Sequence, residues 1–407
     1  MSNSFLNVLR FPNFKKMWLA QVFSQVALNM VTFALVLHIF ELTGKATSVS
    51  LVMLASAVPV ALIGPFSGVL ADKIDYRKIL IYTNFLRFIA AILLLVSNGN
   101  ILALLEIIFF ISAISQIFTP AESSAVPLIV PREKLMSANS VVITTTYATL
   151  LIGYGVAGPI LNYIGPSWLF IICALLFLLA TFMTRQMTKF DHKPTKKISL
   201  VNFADSLERA WKDVKSGFLY IRSEAKIFNP MIKLTVGWTI LGAFITLLPA
   251  FGQDALHVNA KLIAPLVILP AGVGLLLSAT LLSRKKHFNH QKEINKGFII
   301  FAVPFLIFSL YPFYQHLAFA KLFAFVMVFI IGIGASMVQI PAQTLLHLHS
   351  DEEKRGRVFG ISSMQLRLAT TVPTIIVAAV SDLTSPLITM VLLAVFSLMY
   401  ALMLVFE

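Results

Sequence analysis

Residues 135–184 read LMSANSVVITTTYATLLIGYGVAGPILNYIGPSWLFIICALLFLLATFMT and contain no charged side chain in fifty consecutive positions. A helix needs about 20 apolar residues to cross the hydrocarbon core of a bilayer. The stretch is therefore long enough for two membrane spans. Its NYIGPS segment, Asn162–Ser167, combines Asn, Gly, Pro and Ser and predicts the turn between them.

The composition extends this interpretation to the whole chain of 407 residues. Hydrophobic residues make up 58% and charged residues only 12%, whereas about a quarter of a soluble domain is charged. A soluble enzyme, a disordered scaffold and a disulfide-built secreted module are excluded, and the single Cys173 leaves no pair for a disulfide. We predict an all-α integral membrane protein with twelve transmembrane helices.

Uncharged or nearly uncharged runs define the twelve predicted spans. They are Met17–Phe40, Ala46–Ala71, Ile79–Val96, Ile101–Ala121, two within Leu135–Thr184, Leu234–Gln253, Leu262–Ser283, Gly297–Ala320, Leu322–Ser350, Val358–Ser381 and Leu383–Phe406.

The positions of the basic residues predict the orientation. With the amino terminus placed inside, 27 of the 32 Lys and Arg residues fall in cytoplasmic segments, three fall outside and two lie within spans. Cytoplasmic loops carry such an excess of Lys and Arg. We therefore expect a multi-pass protein of the cell inner membrane with both termini in the cytoplasm. The net charge of +14 then needs no nucleic-acid partner.

An internal repeat predicts two pseudo-symmetric six-helix bundles. TPAE at 119–122 aligns with IPAQ at 340–343, an offset of 221 residues. We expect a first bundle at residues 1–188, a cytoplasmic linker at 189–226 and a second bundle at 227–407. Parallel repeats of this kind are typical of transporters that alternate access at a central site. The linker contains an amphipathic surface pattern formed by Leu207, Trp211, Val214, Phe218 and Ile221.

Three segments carry a family resemblance. GVLADKIDYRK at 68–78 resembles the loop after the second helix of the major facilitator superfamily. FTPAESSAVPLIVPREKLMSAN at 118–139 and DEEKRGRVFG at 351–360 are similar to the branch that holds macrolide-efflux proteins, siderophore exporters and a lysophospholipid transporter. The resemblance implies the major facilitator fold and a membrane transport function.

The loop at 68–78 also predicts a cytoplasmic gate formed by Gly68, Asp72, Arg77 and Lys78. The Asp72 carboxylate suits a helix amino terminus, which carries partial positive charge, and by resemblance that helix is the eleventh. Gly68 permits close helix packing. The alternative is that the charges only set the topology. Glycines in the fifth span resemble part of an antiporter signature, which is matched by Gly153, Gly155, Gly158 and Pro159.

Three residues charged at neutral pH lie within predicted spans: Arg87, Glu106 and Arg367. Such residues are costly in lipid and are candidates for function. Glu106 is the candidate proton-coupling carboxylate. Arg87 lies about 13 Å and Glu106 about 9 Å from opposite ends of their spans, so an intramembrane ion pair between them is the alternative. Arg367 either binds an anionic substrate group or pairs with helix carbonyls.

Uncharged polar stripes predict the wall of a substrate cavity. Their members recur every four residues and so share a helix face. Such a face is unsuited to lipid. The alternative is hydrogen bonding between helices without a cavity, and for Trp238 the alternative is core packing. The cavity candidates on these stripes and on the seventh and eleventh helices are Gln21, Gln25, Asn29, Trp238, Gln339, Gln343 and Arg367.

The sequence thus predicts a secondary active transporter that exports amphipathic or hydrophobic small molecules, in the manner of a multidrug or macrolide antiporter, with protons as coupling ion. The alternatives are a siderophore-type metabolite exporter, a lysophospholipid transporter and, in a different class, a membrane-embedded enzyme or scaffold. We expect a monomer. We also expect no metal site, because the His residues are scattered, and no cofactor, because no phosphate-binding glycine loop is present.

Overall fold

A computed structural model describes residues 8–72, 74–97, 99–188, 212, 215–254, 256–257, 260–284, 289–350 and 355–406. Within these ranges the side chains of several helical residues lie outside the description, among them those of 68–72, His347 and Arg367.

Twelve helices of twenty residues or more form in the described part of the chain. They are α1 (Pro12–Thr43), α2 (Ala46–Asp72), α3 (Tyr76–Val96), α4 (Ile101–Ile129), α5 (Leu135–Tyr163), α6 (Pro166–Arg185), α7 (Ala225–Asp254), α8 (Ala260–Arg284), α9 (His290–Ser309), α10 (Ala320–His349), α11 (Arg355–Leu383) and α12 (Pro386–Phe406). Ten helices of the described residues are long and apolar enough to cross a membrane. The predicted all-α membrane fold is confirmed, and the twelve long helices of the described ranges agree with the predicted number of spans.

The helices extend beyond most predicted spans, because polar residues at helix ends can reach the headgroup region. Helix α4 continues past the predicted end at Ala121 to Ile129 and contains Pro120 and Pro127. Helix α9 departs from the predicted span Gly297–Ala320, since it begins at His290 and ends at Ser309. A short helical turn, Tyr311–Tyr314, follows it.

The described turns follow the expected local chemistry. The predicted turn at 162–167 is confirmed: α5 ends at Tyr163, Gly165 adopts a φ of 97°, and Pro166 starts α6. A positive φ of this size favours glycine because no Cβ clashes with the backbone. Asp75 is the amino-terminal cap of α3, since its carboxylate accepts a hydrogen bond from the Arg77 backbone N–H at 2.8 Å.

The chain divides into two compact units. The first consists of Met1–Ile39 and Ala55–Lys212, and the second of Phe40–Leu54 and Asp213–Glu407. Inside the first unit α3 packs against α4 and α6, and inside the second unit α9 packs against α10 and α12. Each helix of the second set lies six helices after its counterpart, which is the pattern a parallel repeat requires.

The predicted boundaries at 188 and 226 stay predictions. Of the predicted linker, 189–211 and 213–214 lie outside the described residues, and with them Leu207, Trp211 and Val214. Residues 215–223 are helical. On this helix Phe218 is exposed and Ile221 is buried against the hydrophobic core of the second unit.

Helix α10 is held between two neighbours by glycines. A Cβ added at Gly332 would lie 1.9 Å from the Ala271 carbonyl oxygen of α8, and one added at Gly334 would lie 2.5 Å from the Phe301 nitrogen of α9. Such backbone approach requires a residue without a side chain, as in small-residue crossings of membrane helices.

Gly332→Ala is therefore expected to destabilise the protein by about 3 kcal/mol or to prevent folding, because the methyl group can fit only if two helix backbones separate. A melting curve of the detergent-solubilised protein measures the effect. Gly64→Ala is the control, since the nearest atom to its added Cβ is 3.8 Å away. Equal melting temperatures for the two variants would contradict the close packing of α8 and α10.

Candidate functional site

A buried arginine forms the centre of the candidate site in the first unit. Arg87 on α3 is 1% exposed. Its Nη1 donates a hydrogen bond to Ser24 Oγ of α1 at 2.7 Å, and its Nη2 donates to Ser115 Oγ of α4 at 2.9 Å. Ser24 Oγ also donates to Asn84 Oδ1 at 2.9 Å. Three helices are thus joined through one guanidinium group.

Helix α4 brings the acid that faces this arginine. Ser115, Phe118 and Glu122 are spaced at i, i+3 and i+7 and so share one helix face. The Arg87 Cζ atom lies 4.5 Å from the centre of the Phe118 ring, in a cation–π arrangement. Glu122 is 7% exposed, and its carboxylate interacts electrostatically with Arg87.

The polar groups of this cluster are incompletely satisfied. Glu122 Oε1, Arg87 Nε and Asn84 Nδ2 are buried and have no hydrogen-bond partner among the residues that the structure describes. Buried polar atoms usually have partners, and exceptions occur at functional sites. We name the cluster the Arg87–Glu122 site; its members are Ser24, Asn84, Arg87, Ser115, Phe118 and Glu122.

The predicted pairing of Arg87 with Glu106 needs correction. Glu106 is exposed on the surface of α4. Glu106 precedes Ser115, which contacts Arg87, by nine residues. Nine residues correspond to about 13 Å along the helix axis and about two and a half turns, so Glu106 lies on the opposite face of α4 from Ser115. The acid on the Arg87 side of α4 is Glu122, seven residues after Ser115, whose carboxylate interacts electrostatically with Arg87. The proposed proton-coupling role of Glu106 itself stays a prediction.

The stripe on α1 packs against α5. Gln21 is buried, and its Nε2 lies 3.3 Å from both the Val142 carbonyl oxygen and Thr146 Oγ1. A Cβ added at Gly153 of α5 would lie 2.6 Å from the Cβ of Asn29. For Gln21, hydrogen bonding between helices is thus the observed arrangement. Gln25 is half-buried, and its place in a cavity stays a prediction.

The cavity candidates of the second unit lie on α7 and α10. Trp238, on α7, packs at the edge of a hydrophobic core cluster that includes Phe298. Gln339 and Gln343, on α10, are half-buried. A cavity of about 460 Å³ opens elsewhere in this unit, where its lining includes Lys226, His290 and His349, and none of the predicted cavity residues lines it.

The polar face of α11 packs against α7 where it is described. A Cβ added at Gly242 would lie 3.5 Å from Thr374 Cγ2, and Gln365 Nε2 donates to Thr235 Oγ1 at 3.3 Å. The Arg367 side chain lies outside the description, so both of its predicted roles remain predictions.

The gate residues are described only in part. The Gly68 and Asp72 side chains lie outside the description. Arg77 Nη2 donates to the Arg185 carbonyl oxygen at 2.6 Å, and Lys16 Nζ donates to that of Gln186 at 2.8 Å. Cations at the carboxyl end of a helix are stabilised by its dipole and free carbonyls. Arg77 thus caps α6. Lys78 is exposed.

Sequence reasoning missed Glu122 because it ended the fourth span one residue earlier, at Ala121. Two signals pointed to it: the i, i+7 spacing from Ser115 and the internal repeat, in which Glu122 aligns with Gln343. It also missed a buried amine. Lys233 directly precedes the predicted seventh span, Leu234–Gln253, but it is 5% exposed on α7, and its Nζ donates to Asn295 Oδ1 at 3.2 Å.

Comparison with known proteins extends over most of the chain. The sequence pattern of the Major Facilitator Superfamily matches residues 17–372. The uncharacterised MFS-type transporter YfiS of Bacillus subtilis (strain 168) is 22% identical over 351 residues, which are 82% of this chain and 78% of YfiS. Macrolide efflux protein A of Streptococcus pyogenes is 31% identical over 134 residues, 30% of this chain and 31% of that protein.

A further relative and a solved structure cover most of the chain. The putative bacilysin exporter BacE of Bacillus amyloliquefaciens is 21% identical over 318 residues, 77% of this chain and 75% of BacE. A crystal structure of a POT family transporter in complex with 5-aminolevulinic acid superposes with a TM-score of 0.77 at 12% identity, covering 96% of this chain and 95% of that one. The latter likeness concerns the fold.

Proposed function

Because the chain belongs to the Major Facilitator Superfamily, we propose that it is a proton-coupled exporter of amphipathic or hydrophobic small molecules. It is a membrane transporter and not an enzyme. Two relatives named for efflux or export, macrolide efflux protein A and BacE, support the direction and the class of cargo.

The observation that carries proton coupling is the buried Glu122 carboxylate with its unpartnered Oε1. An uncompensated buried charge is costly. Whether Glu122 carries a proton therefore depends on how well Arg87 compensates the negative charge of its carboxylate. While Glu122 is ionised, it compensates the charge of Arg87. When Glu122 binds a proton, Arg87 retains only neutral acceptors, which are Ser24, Ser115 and Asn84.

This exchange changes the contacts that join three helices. Ser24 lies on α1, Arg87 on α3 and Glu122 on α4, and α3 packs along α4. A proton that binds the site in one state and leaves it in another biases the equilibrium between the two states by its differential affinity. The proposed cycle uses this bias to drive export. We place the termini in the cytoplasm and the protein in the inner membrane, as the Lys and Arg distribution predicts.

Vesicles with an imposed pH gradient test the proposal. The purified protein is reconstituted in liposomes and offered a macrolide, bacilysin, an iron-chelating siderophore or a lysophospholipid. We expect gradient-dependent movement of the macrolide or of bacilysin, and none in protein-free liposomes. Movement of the siderophore or the lysophospholipid alone would favour the corresponding alternative, and movement that does not respond to the gradient would contradict proton coupling.

A further inference from the structure

The cavity of about 460 Å³ in the second unit lies where three helices begin or end. Its wall is formed by the first turns of α7, the amino-terminal turn of α9 and the last turn of α10. A volume of this size is typical of sites for small molecules. Six of its nine lining residues have polar side chains: Lys226, Asn229, Asn289, His290, Gln291 and His349.

The lining of this cavity is basic. Lys226 of α7 contributes an ammonium group, and His290 of α9 and His349 of α10 contribute imidazoles. No Asp or Glu is found among the described residues that line the cavity, since neither Glu224, just before α7, nor Glu293, on α9, belongs to the lining. A polar cavity with basic groups on all three of its walls is suited to an anion.

His349 can donate a hydrogen bond to an anion in only one protonation state. Its Nδ1 lies 3.0 Å from the Leu345 carbonyl oxygen. A carbonyl oxygen only accepts, so Nδ1 carries a hydrogen, and a second N–H, at Nε2, exists only in the protonated imidazole. An anion in the cavity therefore favours the charged form of His349. The described titratable groups on the other two walls are Lys226 and His290.

The internal repeat indicates that the fold itself does not require a histidine at this position. At the offset of 221 residues, His349 of α10 corresponds to Leu128 of α4. Leu128 is exposed, and α4 ends one residue later, at Ile129. An apolar residue therefore serves the end of the equivalent helix, and the basic lining is a property of the second unit.

The predicted orientation places the cavity at the cytoplasmic surface of the bilayer. Lys226 precedes the predicted span Leu234–Gln253 by eight residues, which is about 12 Å of helix. His349 is the last residue but one of the predicted span Leu322–Ser350. The cavity thus extends from the edge of the hydrocarbon core into the headgroup region. The cytoplasmic leaflet carries anionic lipids, and basic pockets between membrane helices on this side bind their headgroups.

We infer that the cavity binds the phosphodiester headgroup of an anionic phospholipid, with the phosphate held by Lys226, His290 and His349. The oxygens of a phosphate accept several charge-assisted hydrogen bonds at once. A metal ion fits the described lining less well, because two imidazoles fall short of the usual number of ligands and the ammonium group repels a cation. The inference is independent of the cargo and rests on the cavity and the predicted orientation. Soluble phosphate esters share this chemistry, and the experiment separates the two sources.

Binding to the purified full-length protein in a non-ionic detergent tests the site. The probes are a short-chain phosphatidylglycerol, a phosphatidylcholine of the same chain length, and glycerol phosphate as the soluble ester. We expect phosphatidylglycerol to bind at least about tenfold more tightly than the other two, as one additional hydrogen bond to a charged group allows. Equal affinity for the two lipids would overturn recognition of an anion, and tighter binding of glycerol phosphate would overturn the lipid as its source.

Lys226→Met is expected to weaken phosphatidylglycerol binding about tenfold, because it removes one charge-assisted hydrogen bond. Lys215→Met is the matched control, since it makes the same change at an exposed lysine of the second unit outside the cavity. This control should stay within about twofold of the parent, because a charge in open solvent is screened. Equal weakening by both variants would overturn the cavity as the binding site.

The dependence of binding on pH provides a second measurement. Raising the pH from about 6 to about 8 should weaken phosphatidylglycerol binding by the parent protein, because His290 and His349 lose positive charge over this range. His349→Leu, which introduces the residue of the equivalent position in α4, should show weaker binding at the lower pH and a smaller change with pH. A parent protein whose affinity does not change with pH would overturn the role of the imidazoles.

Discussion

Glu122→Gln is expected to abolish the response of transport to a pH gradient. Gln has nearly the shape of Glu but binds no proton in the physiological range. The charge at position 122 is then the same whether the site faces the pH of one side of the membrane or of the other. We expect gradient-driven flux to fall about tenfold or more, which corresponds to a typical coupling free energy between two sites. Exchange of labelled for unlabelled cargo, which needs no net proton movement, should continue.

The measurement compares both reactions in the same liposomes. Glu106→Gln is the matched control because it makes the same chemical change on the same helix, at an exposed position. We expect this variant to keep the gradient response. Loss of the response in Glu106→Gln but not in Glu122→Gln would return the coupling role to Glu106, and an unchanged response in both would remove each of them from coupling.

Arg87→Met is expected to destabilise the protein by about 3–5 kcal/mol, because it leaves the Glu122 carboxylate buried without its cation. It also removes the hydrogen bonds from Arg87 to Ser24 and Ser115. The double variant Arg87→Met/Glu122→Met should recover most of this loss, since replacing both members of a buried pair with apolar residues is often neutral or stabilising. Thermal unfolding in detergent measures both effects.

Lys78→Met serves as the comparison for this prediction. Lys78 lies on the same helix as Arg87 but is exposed, and surface substitutions usually change stability by less than about 0.5 kcal/mol. If the double variant is no more stable than Arg87→Met, the two side chains are not energetically coupled, and the Arg87–Glu122 site is not an ion pair in the folded protein.

The number of helices and most of their positions were predictable because the hydrocarbon core imposes its thickness on the sequence. An uncharged run such as 135–184 has few alternatives in a bilayer, and the Gly165–Pro166 turn divides it where expected. The orientation of side chains was less predictable. The predicted partner of Arg87 was chosen by its depth in the membrane and not by the helix face it occupies. Glu106 lies on the face of α4 that points away from Arg87.

The polar stripe on α1 shows a second limit of sequence reasoning. A period of four residues places Gln21 and Asn29 on one face, but it does not state whether that face meets water or another helix. In the structure Gln21 meets α5. Lys233 shows the same limit for charge, because counting basic residues assigns a side of the membrane to each of them but does not indicate its burial.

Pro120 and Pro341 occupy equivalent positions of the repeat, within α4 and α10. Because proline has no N–H, the carbonyl groups four residues earlier, at Gln116 and Met337, lack their normal helical donor, and a helix bends most easily at such a point. Glu122 follows Pro120 by two residues on α4. Any bend of α4 at Pro120 would therefore occur next to this acid, whereas α10 has the equivalent proline with Gln343 in place of the acid.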